Sequence, residues 1–382
     1  MSETHEAVGD ELSMESPEPF VLTEQEVEET EAAESGVSPI SYSGTDFDVE
    51  GLVRRLNRGD IEIPNFGHDE QDLELAGFQR GFVWRRPQMD RFIESLLLGF
   101  PIPAIMLVQQ IDKRYLVLDG QQRLKTLQNF YEGVHKGREF SLLNVADEFK
   151  GLTYKSLSDP QRRTLDNTFI QATIVRTDGT DASLDSVYQV FERLNSGGTQ
   201  LTAHEIRIAL YSGPLVKFLA DLNSLPSWRK IYGPTSPRLR DQEVILRIIS
   251  LFLRANEYFS PLKKFLNSFM SDHRDMSTFP SDEVARHFAD SVDALEAAGV
   301  RDAVRRKGQR VNAAMIEAVI LGYMRRLSSD QPLSDGALRA AVLELGRDAD
   351  LELATSSSTT SEENVRMRIN RVSAVLMAAE GK

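Results

Sequence analysis

The pattern of apolar and polar positions divides the chain into three stretches. Residues 1–42 are rich in Glu, Ser, Thr and Pro and carry few apolar positions. Such a segment cannot bury enough apolar surface to offset its ordering entropy, so the pattern predicts a disordered acidic tail. From residue 43 the pattern becomes globular. Phe47 to Leu56 reads as a short helix or turn, and Asp72 to Phe78 and Phe82 to Trp84 have strand character. Met89, Phe92, Ile93, Leu96 and Leu97 recur at helical spacing behind Pro87, which suits a first helical turn, and Gly99 can end that helix. Pro101 and Pro103 make a stiff link. Ala104 to Val108 and Arg114 to Leu118 are two apolar strands joined by a tight turn near Asp112. Gly120 opens a helix that carries Leu124, Leu127, Phe130 and Tyr131 on one face and stops at Gly133. Phe140 to Leu143 and Ile170 to Val175 are later strand candidates.

After about residue 180 the spacing turns helical. The expected helices are Leu184 to Leu194, Ala203 to Tyr211, Val216 to Leu222, Asp241 to Ala255, Glu283 to Ala297, Asn312 to Leu327, Asp335 to Leu345 and Glu362 to Ala379. No repeat of fixed period runs through the chain. The expected class is α+β, with a mixed α/β domain over residues 43–180 and an all-helical domain over 181–382. The turn Thr177-Asp178-Gly179-Thr180 marks the boundary.

Charge changes this picture mainly at one end. The net charge is −14, but the first 50 residues hold 15 Asp and Glu and no Lys or Arg. The remainder, with 44 basic and 43 acidic residues, is close to neutral and offers no global field for nucleic acid. The chain has no cysteine, which excludes disulfides, thiolate chemistry and Cys-ligated zinc, and a reducing, cytoplasmic location is the natural expectation. No run approaches the roughly 18 apolar residues of a membrane helix, and the acidic N-terminus is not a secretory signal. There is no Walker A motif, so a P-loop is not the source of any nucleotide binding.

The strongest local feature is Tyr115-Leu116-Val117-Leu118-Asp119-Gly120-Gln121-Gln122-Arg123. A buried-looking strand runs straight into a glycine turn and a helix. That geometry aims backbone N–H groups and the positive end of a helix dipole at one point, which suits a phosphate. Gly120 allows a close approach, Arg123 can reach phosphate oxygens, and Asp119 can bind Mg²⁺ through water or accept a proton. Gln121 and Gln122 can read a sugar or base, or position a water. The plainer alternative is a turn in which Asp119 caps the helix and Arg123 is solvated.

Three further motifs accompany this turn. Phe78-Gln79-Arg80-Gly81-Phe82-Val83-Trp84 precedes the helix at 87–99, and Leu96-Leu97-Leu98-Gly99-Phe100-Pro101-Ile102-Pro103 follows. Later comes Phe191-Glu192-Arg193-Leu194-Asn195-Ser196-Gly197-Gly198-Thr199-Gln200-Leu201-Thr202, with Glu205, Ile206 and Arg207. The ordered set, over roughly residues 46–210, resembles the GmrSD N-terminal-domain family. A helical continuation with Arg238-Leu239-Arg240-Asp241-Gln242-Glu243 and Arg247 is also similar to it.

The resemblance implies a ParB/sulfiredoxin-like fold whose strand–turn–helix motif holds a nucleotide's phosphates. It implies NTP hydrolysis at a DGQQR motif in a restriction or anti-phage system, as in defence proteins of the GmrSD, BrxU and SspE type. Asp119, Gly120, Gln121, Gln122 and Arg123 match that motif, Gln79 and Arg80 the upstream one, and Asn195, Glu205 and Arg207 the downstream one. The implied catalytic set is Asp119, Gln122, Arg123 and Glu205, and Gln79, Arg80, Gly120, Gln121, Asn195 and Arg207 are the implied phosphate and nucleotide contacts. The implied cofactor is Mg²⁺ at Asp119, with an NTP as substrate or ligand. DNA and a nuclease-bearing partner protein are the implied partners, and a homo-oligomer stays open.

Several positions have plainer readings. Arg80 near Trp84 makes a cation–π pair as readily as a phosphate clamp. Thr202 and Glu205 form a T-x-x-E capping box. Asn195 to Gly198 is either a helix end with its loop or a lid, and Asp241 favours a helix start. The basic run Val304 to Arg310 is the best candidate for touching nucleic acid, against a solvated surface loop. The histidines, His5, His68, His135, His204, His273 and His287, form no His-Asn-His pattern, which argues against a built-in nuclease of that type. Sulfiredoxin's catalytic Cys has no counterpart. Two rivals to nucleotide handling remain, a DNA-binding and DNA-cleaving ParB-like effector and a non-catalytic interaction module.

Overall fold

The computed structural model describes residues 40–63, 84–178, 180–194, 202–236, 238–305 and 311–380. The tail to residue 39 and the strands expected between Asp72 and Val83 lie outside them, while Trp84 lies in no strand.

Strand β1 (Tyr42–Asp48) runs directly into helix α1 (Val49–Arg58). Asp48 makes the change of geometry, because its Oδ1 accepts from Gly51 N at 2.6 Å and caps the helix. The short strand β2 (Ile61–Glu62) follows. Helix α2 (Arg86–Leu97) starts with Pro87 in its first turn and buries Met89, Phe92, Ile93 and Leu96, as the spacing predicts. A carboxylate fixes its position. Asp90, fully buried, accepts from the backbone N–H groups of Leu143 (3.2 Å) and Asn144 (3.0 Å), from Asn144 Nδ2 (2.8 Å) and from Arg86 Nε (2.8 Å). Four donors leave this carboxylate well satisfied despite its burial.

Strands β3 (Ile105–Gln109) and β4 (Tyr115–Asp119) are the expected pair, joined by a turn in which Asp112 accepts from Arg114 N at 3.1 Å. Helix α3 (Gln121–Glu132) ends at Gly133, whose left-handed backbone (φ 76°) completes the C-cap. A small hairpin of β5 (Val134–His135) and β6 (Arg138–Glu139), helix α4 (Asp159–Asp166) and strand β7 (Phe169–Arg176) complete this half. The strand expected at Phe140 to Leu143 does not form. Phe140 and Leu142 are buried as a strand's alternate residues would be, but Leu142 exchanges hydrogen bonds only with the loop at Gly151 and Leu152. An alternating pattern reports burial, and a strand also needs a partner of its own length.

The main sheet has the order β1-β7-β3-β4-β2 and is mixed. β1 is antiparallel to β7, β7 parallel to β3, β3 antiparallel to β4, and β4 parallel to β2. The period of two decides what each face meets. Ile105, Leu107, Val117, Ile170, Ala172 and Ile174 join a core with helices α1 to α3 and Leu165 of α4. Val108, Leu116, Leu118 and Val175 point the other way, into a second core built from the later helices. The sheet is therefore covered on both faces.

Those helices are α5 (Asp181–Leu194), α6 (Ala203–Leu210), α7 (Pro214–Asn223), α8 (Pro226–Tyr232), α9 (Arg240–Arg254), α10 (Leu262–His273), α11 (Ser281–Ala297), α12 (Ala313–Leu327), α13 (Asp335–Leu345), α14 (Ala349–Ala354) and α15 (Glu362–Ala378). Among the described residues past β7, the only extended pairing is the single bridge between Arg305 and Val311. The protein is thus mixed α+β. No helix of the described residues is long and apolar enough to cross a membrane.

Candidate functional site

The turn after β4 is held from below. Gly120 sits at φ 95°, ψ 10°, the left-handed region, and forms the N-cap of α3. A Cβ there would lie 2.5 Å from Ile105 Cγ2, so space as well as backbone conformation demands glycine. Glycine has no side chain to cap a helix. No side chain caps the first turn of α3, and the positive end of the helix dipole lies behind it, an arrangement that favours an anion.

Asp119 and Arg123 flank this opening unequally. The Asp119 side chain is 62% exposed, whereas that of Arg123 is 11% exposed, and the two form an ion pair of 2.7 Å between Oδ2 and Nη2. Arg123 Nη1 also donates to the carbonyls of Pro103 and Ala104. Its guanidinium fastens the turn to the stiff link before β3 and is not solvated as the plainer reading supposed. Asp119 does not cap α3, and its Oδ1 faces no hydrogen-bond donor among the described residues. Gln122 points to the upstream motif, with its Oε1 accepting from Trp84 N at 3.1 Å. Gln121 is half-buried in the first turn. The arrangement thus joins Asp119, Gly120, Gln121, Gln122 and Arg123 to the ends of two other motifs, at Trp84 and at Pro103. The carbonyls of Pro103 and Ala104 went unassigned in the sequence. Carbonyls belong to every residue, so only the stiffness of the Pro101–Pro103 run hinted at them.

Gln79, Arg80 and Asn195 lie outside the described residues. The geometry of Glu205 is that of a capping box. Thr202 N donates to Glu205 Oε2 at 2.6 Å, Glu205 N donates to Thr202 Oγ1 at 3.1 Å, and Arg238 Nη2 pairs with Oε2 at 3.1 Å. With 6% of its side chain exposed, Glu205 holds the start of α6. Arg207 is fully buried, with Nε donating to Asn267 at 2.9 Å and Nη1 lying 3.3 Å from His204 Nδ1. Burial, with the Arg207 charge beside it, holds the His204 imidazole well below its ordinary range. This geometry ties α6 to α10 and does not suit the phosphate contact expected of Arg207. Asp241 likewise takes Asn223 Nδ2, Arg229 Nη1 and Ser236 N at 3.1, 2.7 and 3.0 Å, a structural knot at the start of α9.

Residues 53–212 match the family described as GmrSD restriction endonuclease, N-terminal domain. Over this segment, less than half of its length, the chain is similar to the GmrSD N-terminal domain. No curated protein and no solved structure matches the chain. The matched segment contains the turn at 119–123 and every expected site residue, and it continues past β7 through α5 and α6. Among the described residues no group of three or more His, Asp or Glu gathers to hold a metal. Asp119 is a single exposed carboxylate, which suits an Mg²⁺ that arrives on a nucleotide's phosphates, since Mg²⁺ commonly takes one or two carboxylates and keeps its other positions for phosphate and water.

Proposed function

We propose that the matched segment binds a nucleoside triphosphate at the turn 119–123 and hydrolyses it, within a ParB/sulfiredoxin-like fold. The observation that supports this most is the uncapped N-terminus of α3 behind Gly120, where a side chain is excluded and an anion is favoured. Backbone N–H groups of the first turn hold phosphate oxygens. Arg123 keeps the turn in place through Pro103 and Ala104 and sets the position of Asp119. Asp119 orients the attacking water or the Mg²⁺, and the metal supplies charge neutralisation when bound. Positioning and charge stabilisation dominate phosphoryl transfer, so a site of fixed dipoles with one carboxylate is suited to it. Arg80, four residues before Trp84 in the sequence, is the arginine left to meet phosphate charge, because Arg123 and Arg207 are engaged inside the protein. The later helices form a helical domain that passes the nucleotide state to DNA or to a nuclease-bearing partner protein.

Trp84 makes this testable. Each NTP with Mg²⁺ is titrated while the thermal midpoint and tryptophan emission are followed. A ligand at about 100 times its Kd adds roughly 2.7 kcal/mol of stability. The expected result is a raised midpoint and an emission change with at least one NTP. In Trp84→Phe the midpoint shift persists and the emission change disappears, leaving only buried Trp228. No shift with any NTP, or an emission change that survives Trp84→Phe, contradicts the placement.

A further inference from the structure

A concavity of about 590 Å³ lies far along the chain from this turn, between the end of α8 with the loop after it and the segment that follows α11. Arg229, Lys230 and Arg301 line it against one lining carboxylate, Glu296. No lining residue comes from the β4–α3 turn.

The cations differ in how they are held. Arg229 is fixed in the wall, with Nη1 on Asp241 at 2.7 Å, Nη2 on Asn223 at 2.7 Å, and its guanidinium beside the rings of Trp228 and Tyr232 at 5.7 and 5.6 Å. Its buried Nε has no hydrogen-bond partner among the described residues. Lys230 pairs with Glu296 at 2.9 Å but is 63% exposed, so the pair contributes little and opens readily. Arg301 is exposed and in no ion pair among the described residues. Behind them Arg305 donates through Nη2 to the carbonyls of Ile231 (3.0 Å) and Tyr232 (2.7 Å), which anchors the segment to α8. Burial and the neighbouring Arg301 charge both depress the Arg305 guanidinium. Like charges gathered round a concavity raise each other's cost, and an anion placed among them relieves it.

We infer that this concavity is a second phosphate-binding site, separate from the turn at 119–123, in which Arg301 and Lys230 meet the phosphate against the fixed wall of Arg229. The phosphate comes either from a nucleic-acid backbone or from a free phosphate ion. The inference goes beyond the nucleotide reading and does not depend on it.

The full chain is tested for binding to a short labelled duplex DNA by anisotropy over a range of salt, and to inorganic phosphate by calorimetry. Arg301→Glu is compared with wild type and with Arg366→Glu, a surface change of equal charge on α15, where Arg366 is 60% exposed. Circular dichroism checks that each variant is folded. The expected result is that Arg301→Glu weakens binding of at least one ligand about tenfold or more, while Arg366→Glu stays within about twofold. For DNA the salt slope also falls by about 1 for each cation lost. DNA binding sensitive to Arg301 assigns the site to a nucleic-acid backbone, and phosphate binding alone assigns it to the free ion. Binding of neither by wild type, or equal losses in the two variants, overturns the proposal.

Discussion

Gly120→Ala is expected to lower stability by about 2–4 kcal/mol, from the left-handed conformation and the intrusion into packed atoms together. The backbone stands at φ 95°, and the added Cβ would lie 2.5 Å from Ile105 Cγ2 and 3.3 Å from Arg123 Nη2. Ile105 is buried at the start of β3 and has no room to move. Gly99→Ala is the matched control. Gly99 is also left-handed, at φ 71°, but a Cβ there would meet nothing within 4 Å. Its substitution carries only the backbone cost, about 1–2 kcal/mol. Urea unfolding of both variants separates the contact from the conformation, and equal losses would contradict the packing account. Because the turn is also the proposed phosphate site, Gly120→Ala is expected to bind nucleotide poorly even where it folds.

Glu317→Ala is expected to cost roughly 3–5 kcal/mol, the cost of breaking a buried ion pair from one side. Glu317 on α12 is fully buried between two arginines that are themselves buried. Arg247 Nε on α9 reaches its Oε2 at 2.6 Å, and Arg368 Nη2 on α15 reaches its Oε1 at 2.7 Å. Removing the carboxylate takes away the charge that these two buried guanidinium groups share. Burial alone would raise this carboxyl, but Arg247 and Arg368 together hold it below its ordinary value near 4.5. A depressed carboxylate stabilises the fold fully above its ordinary value, and that stability is lost as pH falls below it toward the folded value. Acid unfolding of wild type is therefore expected to sharpen below that value, and in Glu317→Ala this contribution is missing. Replacing Arg247, Glu317 and Arg368 together by apolar residues of similar volume is expected to recover much of the loss. A single-variant loss under about 1 kcal/mol would contradict the account.

The parts of the fold legible in the sequence are those where local pattern and tertiary packing agree. Strands β3 and β4, the glycine turn and helix α3 with its Gly133 stop follow directly from the apolar spacing of residues 104–133. Strand β1 did not announce itself. Its residues Tyr42–Asp48 are mostly polar and either exposed or half-buried, and only the seven-residue register with β7 makes them a strand. Helix α4 carries a full start signal, a Ser158–Gln161 capping box with Pro160, but buries only Leu165, so its apolar periodicity is almost absent. Helix α10 is the opposite case. Leu262, Phe265, Leu266, Phe269 and Met270 fall at helical spacing, and the pattern was there to be read.

At the candidate site, the sequence located the turn but not the commitments of its charges. Arg123 and Arg207 are alike as letters. One pins a turn through two carbonyls, the other lies among α6 and α10 beside His204 and Asn267, and only three-dimensional neighbours separate these roles. For Glu205 the T-x-x-E spacing already contained the structural answer.

The most direct test is phosphate release from ATP, GTP, CTP and UTP with Mg²⁺, comparing wild type with Asp119→Asn. This substitution keeps the shape of a residue that is 62% exposed and leaves an amide oxygen to accept from Arg123 Nη2, so the variant is expected to fold normally. Turnover of at least one NTP by wild type, reduced about 100-fold or more in Asp119→Asn, is the predicted result. Absence of turnover with all four, or equal rates in the two proteins, would contradict the assignment of the turn as the site of hydrolysis.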